Sequence, residues 1–376
     1  MFILYLFVTS SLLCSGSAHW EDSDTDDILN LLRRANVYKT FRHWMLQNNK
    51  VYDDLRSTWD RFQIFKDNVA KVIQMNEKSN GLAVFGLTEF ADLTPLEFIQ
   101  LVLNGLLKPD IPDRSDNHTN VTGIVHESFD WTKEGVETAV RDQGNVGTCY
   151  IFTALDVIAS RWRLKGHDPV NLSHEQVADC LAFHDDRTSE KMACGINGGV
   201  PQAVYEYIKN VGGITREEDY PYCVGSGRCK PCAPEGYFPR LCGMYPIQHC
   251  VVSDSCKAKL RREKFVPGLK VARWNYVTAN EEQLAIELER YGPLAAALDA
   301  ADLQLYRKGI IVPDKCRSQN INHAVLLVGY GSESGTKFWR LKNSWGREFG
   351  ENGYFRIARD IGACGINQFV TNVELE

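Results

Sequence analysis

Asp142-Gln143-Gly144-Asn145-Val146-Gly147-Thr148-Cys149-Tyr150 places a glutamine and two glycines directly ahead of a cysteine that opens an apolar-periodic run. The spacing predicts a helix over 148–163 with Cys149 at its N-terminus. A thiol at that position is suited to nucleophilic chemistry, because the positive end of the helix favours the thiolate, the reactive form. The glycines allow another backbone to come close. Two later stretches supply complementary groups: Asn322-His323-Ala324-Val325 carries an imidazole, and Lys342-Asn343-Ser344-Trp345-Gly346 a carboxamide. Taken singly, a histidine on an apolar strand is more often a core residue and an asparagine a turn residue. Together with Cys149 they read as base and base-orienting amide.

Outward from this stretch the chain divides. Residues 25–78 are charged and helix-patterned, with Trp59, Phe62, Phe65, Val69 and Val72-Ile73 forming an apolar stripe. Residues 105–124, rich in Pro, Asp, Ser, Asn and Thr, read as a solvated linker. Beyond it one half is helix-rich, with helices expected at 148–163, 173–180 and 201–211. The other is strand-rich, with strands expected at 269–277, 293–299, 323–330, 337–342 and 353–358 and one helix at 280–290. This pattern predicts an α+β protein of two halves with a cleft between them. The segment 223–268 has little periodicity and many Cys, and reads as a disulfide-tied insertion.

The 376 residues, 44% of them hydrophobic, suffice for sizeable cores. A net charge of −6 gives no electrostatic case for nucleic acid. Residues 1–18 carry an apolar stretch too short to span a bilayer, followed by Gly16-Ser17-Ala18, and read as a cleaved secretory signal. No later segment suggests a membrane anchor. Of twelve Cys, Cys14 leaves with the signal and Cys149 stays free, so ten remain to pair, as suits an oxidising compartment. Cys229-Lys230-Pro231-Cys232 has metal-ligand spacing but irregular partners, so no metal or other cofactor is expected. Asn117, Asn120 and Asn171 head glycosylation triplets.

Gln143-Gly144, Gly147-Thr148-Cys149-Tyr150, Asn197-Gly198-Gly199, Asn322-His323-Ala324-Val325 and Lys342-Asn343-Ser344-Trp345-Gly346 resemble, in order, the blocks of papain and the cathepsins. The resemblance runs from about residue 38 to the C-terminus. It implies a papain-like two-lobed fold, a helical lobe and a barrel-like β lobe (125–376), behind a helical inhibitory propeptide and linker (19–124). It further implies a cysteine endopeptidase made as a zymogen in the secretory pathway, lysosomal or extracellular and monomeric, acting on peptides or proteins and open to cystatin-type inhibitors. Cys149 would be the nucleophile, His323 the base, Asn343 its orienting partner and Gln143 an oxyanion donor. Trp345 would shield the pair, while Gly147, Gly198 and Gly199 would meet the substrate backbone. Val200, Pro201, Ala297, Ala324 and Phe369 would line an apolar pocket for the side chain two before the scissile bond.

Several residues depart from the family pattern. Val146 and Ile196 stand where two bonded Cys are usual, which predicts that they touch. Tyr150 replaces Trp, Asn322 replaces Asp, and Ser57 replaces a propeptide Glu in the helical motif of Arg61, Phe65, Asn68, Val72 and Asn76. Gly86-Leu87-Thr88-Glu89-Phe90-Ala91-Asp92 matches the second propeptide motif, whose acid loosening through Asp92 is expected. Two family bridges, Cys180–Cys229 and Cys316–Cys364, are implied. Two alternatives stay open. One is an exopeptidase whose cleft is narrowed by the insertion, with His249 meeting a substrate carboxylate; the other is a catalytically idle relative used for binding.

Overall fold

Apolar runs broken by glycine and asparagine turns build the second half into one sheet. The computed structural model describes residues 36–103, 106, 123–185, 190–227, 229, 232–235, 237, 239–242, 244, 255–313, 316, 318 and 320–376. The expected signal, the sequons at Asn117 and Asn120, and His249 lie outside them. In chain order the helices are α1 Val37–Gln47, α2 Leu55–Ser79, α3 Pro95–Leu101, α4 Cys149–Leu164, α5 His174–Cys180, α6 Pro201–Val211 and α7 Glu281–Tyr291, with shorter turns between them. The strands are β1 Ala83–Phe85, β2 Phe129–Asp130, β3 Ala182–Asp185, β4 Glu190–Cys194, β5 Val271–Tyr276 and β6 Leu294–Leu298. They continue with β7 Tyr306–Ile311, β8 His323–Glu333, β9 Thr336–Lys342, β10 Tyr354–Ala358 and β11 Val370–Leu375.

The large sheet runs β1-β7-β10-β9-β8-β6-β11-β5, with β2 pairing β8. Residues 323–331 of β8 are buried throughout. Such a strand is covered on both faces and reads as a continuous apolar run. Four strands of this sheet, β1, β2, β7 and β11, were not expected. Gly309, at φ +89°, breaks the alternation of β7, and β11 carries Thr371 and Asn372 as buried polar residues. β1 comes from the segment before the linker and pairs antiparallel with β7.

Helix α4 is buried on every side from Cys149 to Ser160, so it is the central helix of the other half. It packs in one apolar cluster with α6 and with residues of β6, β8 and β11. A second cluster joins Phe41, Trp44, Phe65 and Val72 of the N-terminal segment to Leu327, Trp339 and Phe355 of the sheet. Asn68 Nδ2 donates to the carbonyls of Ala91 and Leu93, both at 2.8 Å. Asn76 exchanges two hydrogen bonds with the backbone of Phe85. Trp59, expected in the buried stripe of α2, is instead 57% exposed: it lies one turn ahead of Phe62, the first stripe residue to be covered, and tilts against its ring. Ser57 serves near the start of α2, donating to the capping carboxylate of Asp54. Arg61 keeps an ion pair all the same, to Glu97 at 2.9 Å.

The insertion corrects one expected pairing. Cys180 bonds to Cys256 and Cys229 to Cys223; there is no Cys180–Cys229 bridge. The turn Val224–Ser226, closed by Gly227 in the left-handed region, folds Cys223 back onto Cys229. Lys259 pairs with Asp179 at 3.0 Å and sets the Cys256 turn beside the end of α5. Cys194 bonds to Cys242, and Cys232 is disulfide-bonded as well. The Cys316–Cys364 bridge is present, and Cys149 is free and buried.

Candidate active site

The N-terminus of α4 abuts the start of β8, and this contact brings Cys149 against the backbone next to His323. The amide of Ala324, next in the chain to His323, donates to Cys149 Sγ at 3.5 Å. His323 Nε2 lies 2.8 Å from Asn343 Oδ1. Because Oδ1 also accepts from the Ser344 amide, the imidazole must donate from Nε2, which leaves Nδ1 with the lone pair. Nδ1 of His323 and Nδ2 of Asn343 make no hydrogen bond among the described residues. The thiol is therefore not hydrogen-bonded to the imidazole in this form. The Trp345 ring stacks on His323 with centroids 4.7 Å apart and shuts water out on that side.

Burial sets the charge states. It pushes the Cys149 thiol up to about 12, against a smaller lowering by the amides of Ala324, Tyr150 and Cys149. It pulls His323 down to about 4, opposed by the Asn343 bond. Both groups are thus neutral near pH 7, and the helix N-terminus alone does not ionise a fully dehydrated thiol.

Gln143 is buried. Its Oε1 accepts from Ser344 Oγ at 2.6 Å and its Nε2 donates to the Val146 carbonyl at 2.8 Å. A carboxamide has two N–H donors, and this bond uses one. Gly144 is at φ +67°, and a Cβ there would stand 1.9 Å from the Gly225 carbonyl, so the loop tolerates no side chain. Tyr222 closes the loop from outside: its hydroxyl donates to the Gln143 carbonyl and contacts Thr148 Oγ1. Nothing local in the sequence marks Tyr222 for this role.

Within the helical half, Gly147 and Asn197 form a parallel bridge, and the Gly147 amide donates to the Ile196 carbonyl at 2.8 Å. Ile196 is buried in the α4 cluster, and Val146 packs against that same cluster. Tyr150 donates to the Gly195 carbonyl at 2.9 Å, and a Cβ on Gly199 would strike its ring at 2.5 Å. Val200, Ala297, Ala324 and Phe369 share the cluster, and Pro201 opens α6 beside them. Asn322 turns away from the site, bonded to Ala300 and Asp299.

The N-terminal segment covers this site. Phe90 and Phe98 meet Trp345 edge-on at 5.4 and 5.6 Å. Gln304 donates to the carbonyls of Phe90 and Leu93, and its own carbonyl accepts from Thr88 Oγ1. Leu106 forms a parallel bridge with Gly199 and joins the cluster of Val200, Ala297 and Phe369. Neither Gln304 nor Leu106 was foreseen, since nothing local in the sequence marks a contact made only between distant segments.

The family described as papain family cysteine protease matches residues 125–373, and the cathepsin propeptide inhibitor domain matches residues 41–98. The chain belongs to the papain family of cysteine proteases, and it carries that inhibitory propeptide ahead of the peptidase region. It is 33% identical over 339 residues to a viral cathepsin of Adoxophyes honmai nucleopolyhedrovirus, covering 87% of this chain and 88% of the relative. It is 30% identical to cathepsin F of Mus musculus, covering 88% of this chain and 64% of that protein. Among solved structures, digestive procathepsin L 3 of Tenebrio molitor larval midgut superposes with a TM-score of 0.71 at 26% identity, over 91% of this chain and all of that one.

Proposed function

We propose that the chain is a latent endopeptidase in which Cys149 attacks the scissile carbonyl, His323 moves the proton and Asn343 holds the imidazole. The observation that carries this reading is the convergence of a free buried Cys149, the Nε2–Oδ1 bond and an unpaired Nδ1 at one junction of helix and strand. Removal of the propeptide would rehydrate the cleft, so that the thiol and imidazole regain charge. Hydrogen bonds at such sites commonly tighten only when substrate is bound. A turn of the Cys149 side chain toward Nδ1 would then let the thiol pass its proton to the imidazole and the sulfur attack. The second Gln143 N–H, with the Cys149 amide, would hold the oxyanion, and His323 would return the proton to the leaving amine.

An apolar residue is expected two before the scissile bond, because Leu106 of the propeptide already lies among the residues of that pocket. Leu106 pairs with Gly199 in parallel. A propeptide occupying the cleft in this way blocks it until removed. Trafficking through the secretory pathway, glycosylation at the exposed Asn171, a monomeric state and inhibition by cystatin-type proteins belong to the same reading.

The test is hydrolysis of short peptides after acid processing. Cys149→Ala should abolish it, and Gln143→Ala should lower kcat by about 10²–10³. An unchanged rate in Gln143→Ala would remove that residue from the oxyanion role. Retained turnover in Cys149→Ala would end the mechanism.

A further inference from the structure

The outer face of the 194–199 loop is covered by the insertion. Asn197 Nδ2 donates to Tyr237 Oη at 2.7 Å and to the carbonyls of Cys242 and Met244 at 3.4 and 3.2 Å. Tyr237 Oη in turn donates to the Cys242 carbonyl at 3.2 Å. The Cys194–Cys242 bridge fastens the two segments, with Cα atoms 5.5 Å apart, and a Cβ on Gly195 would stand 3.0 Å from Pro234.

We propose that Tyr237 and Met244 form an outer wall of the cleft and select the substrate residue three before the scissile bond, favouring an aromatic or large apolar side chain. The inference rests on the peptidase reading above and adds a subsite to it. The Leu106–Gly199 bridge marks Gly199 as backbone that pairs with another segment at the cleft. In an extended chain successive side chains point to opposite faces. When one residue fills the pocket of Val200, Ala297, Ala324 and Phe369, the residue before it projects over the outer face of the loop. There it meets a half-buried tyrosine ring and a methionine that is 80% exposed. A tyrosine ring offers a broad apolar contact with few rotatable bonds, and a methionine adapts to varied apolar shapes. The described part of the insertion thus lies beside the Gly198–Gly199 wall, on the side that would hold residues N-terminal to the cut.

The experiment uses acid-processed full-length protein and three blocked fluorogenic peptides. One is a dipeptide with Leu two before the scissile bond, and the others add Tyr or Gly at the third position. The readout is kcat/KM for the Tyr peptide divided by that for the Gly peptide. The expected ratio is about 10 in the wild-type chain, the scale on which an apolar contact discriminates. It should fall toward about 1 in Tyr237→Ala and to an intermediate value in Met244→Ala. Tyr237→Phe keeps the ring but loses the Asn197 bond, and should retain the ratio. A wild-type ratio near unity, or a Tyr237→Phe chain that behaves as Tyr237→Ala, overturns the wall and leaves Tyr237 as a structural tie. Failure of the processed wild-type chain to cleave even the dipeptide overturns the peptidase reading itself, and the wall with it.

Discussion

The propeptide and the Cys-rich insertion both lie against the cleft, and they are fastened by different means. The propeptide is held by the short β1–β7 ladder, by Gln304 and by two phenylalanine rings on Trp345, all non-covalent. Disulfides tie the insertion to the helical half through Cys180–Cys256 and Cys194–Cys242. A segment meant to leave is attached by many small reversible terms, each exposed to pH and proteolysis. A segment meant to stay is attached by bonds that neither affects. The contrast also explains why the insertion can do without a large core of its own.

Phe90→Ala should produce the largest change. It removes a buried ring from Trp345 and should weaken docking by about 3–5 kcal/mol. The expected outcome is a zymogen that loses latency at neutral pH, measured as activity before processing. A fully latent variant would show that the rings add little to the attachment. Converting Cys194 and Cys242 together to Ser should act on the other segment, costing about 2–4 kcal/mol of stability with propeptide release unaffected. Denaturant titration and the processing rate separate the two effects; a changed processing rate would merge the two attachments that the comparison keeps apart.

The smallest effect is expected at Glu89. Burial raises its carboxyl to about 7, with further raising from Asp142 and Glu348 and some relief from Lys50. A carboxyl raised in the docked state favours docking below its ordinary pKa and loses that contribution as pH rises toward 7. Glu89 therefore opposes acid release. Asp92, in the same motif, pairs with Lys50 at 3.4 Å and accepts from the Tyr52 hydroxyl at 2.8 Å. Glu89→Gln should slow processing near pH 7 and change it little near pH 4, as followed by gel at several pH values. An equal effect at both would exclude the carboxyl from the balance.

The blocks around Cys149, His323 and Asn343, which the fold brings together, were legible because each is contiguous and combines residue types that thiol chemistry would need together. The central helix and β8 were legible because their apolar runs have a clear period. The bridges of the insertion were not, since Cys180 had several candidates at similar chain distances and only the fold brings Cys256 to it. β1 escaped notice because three residues carry no period. Leu106 escaped because it lies in a polar linker whose composition says nothing of the cleft it enters. Tyr237 belongs to the same class: its meaning comes from Asn197, 40 residues away.

The most direct test of the account is the rate at which a thiol-directed alkylating reagent modifies Cys149 before and after propeptide removal, with the site read by peptide mass. A neutral, dehydrated thiol in the zymogen should react slowly, and the processed chain should react at least about tenfold faster at pH 6, with the label on Cys149. Equal rates in the two forms, or label on another cysteine, would contradict the claim that the propeptide masks a Cys149–His323 centre.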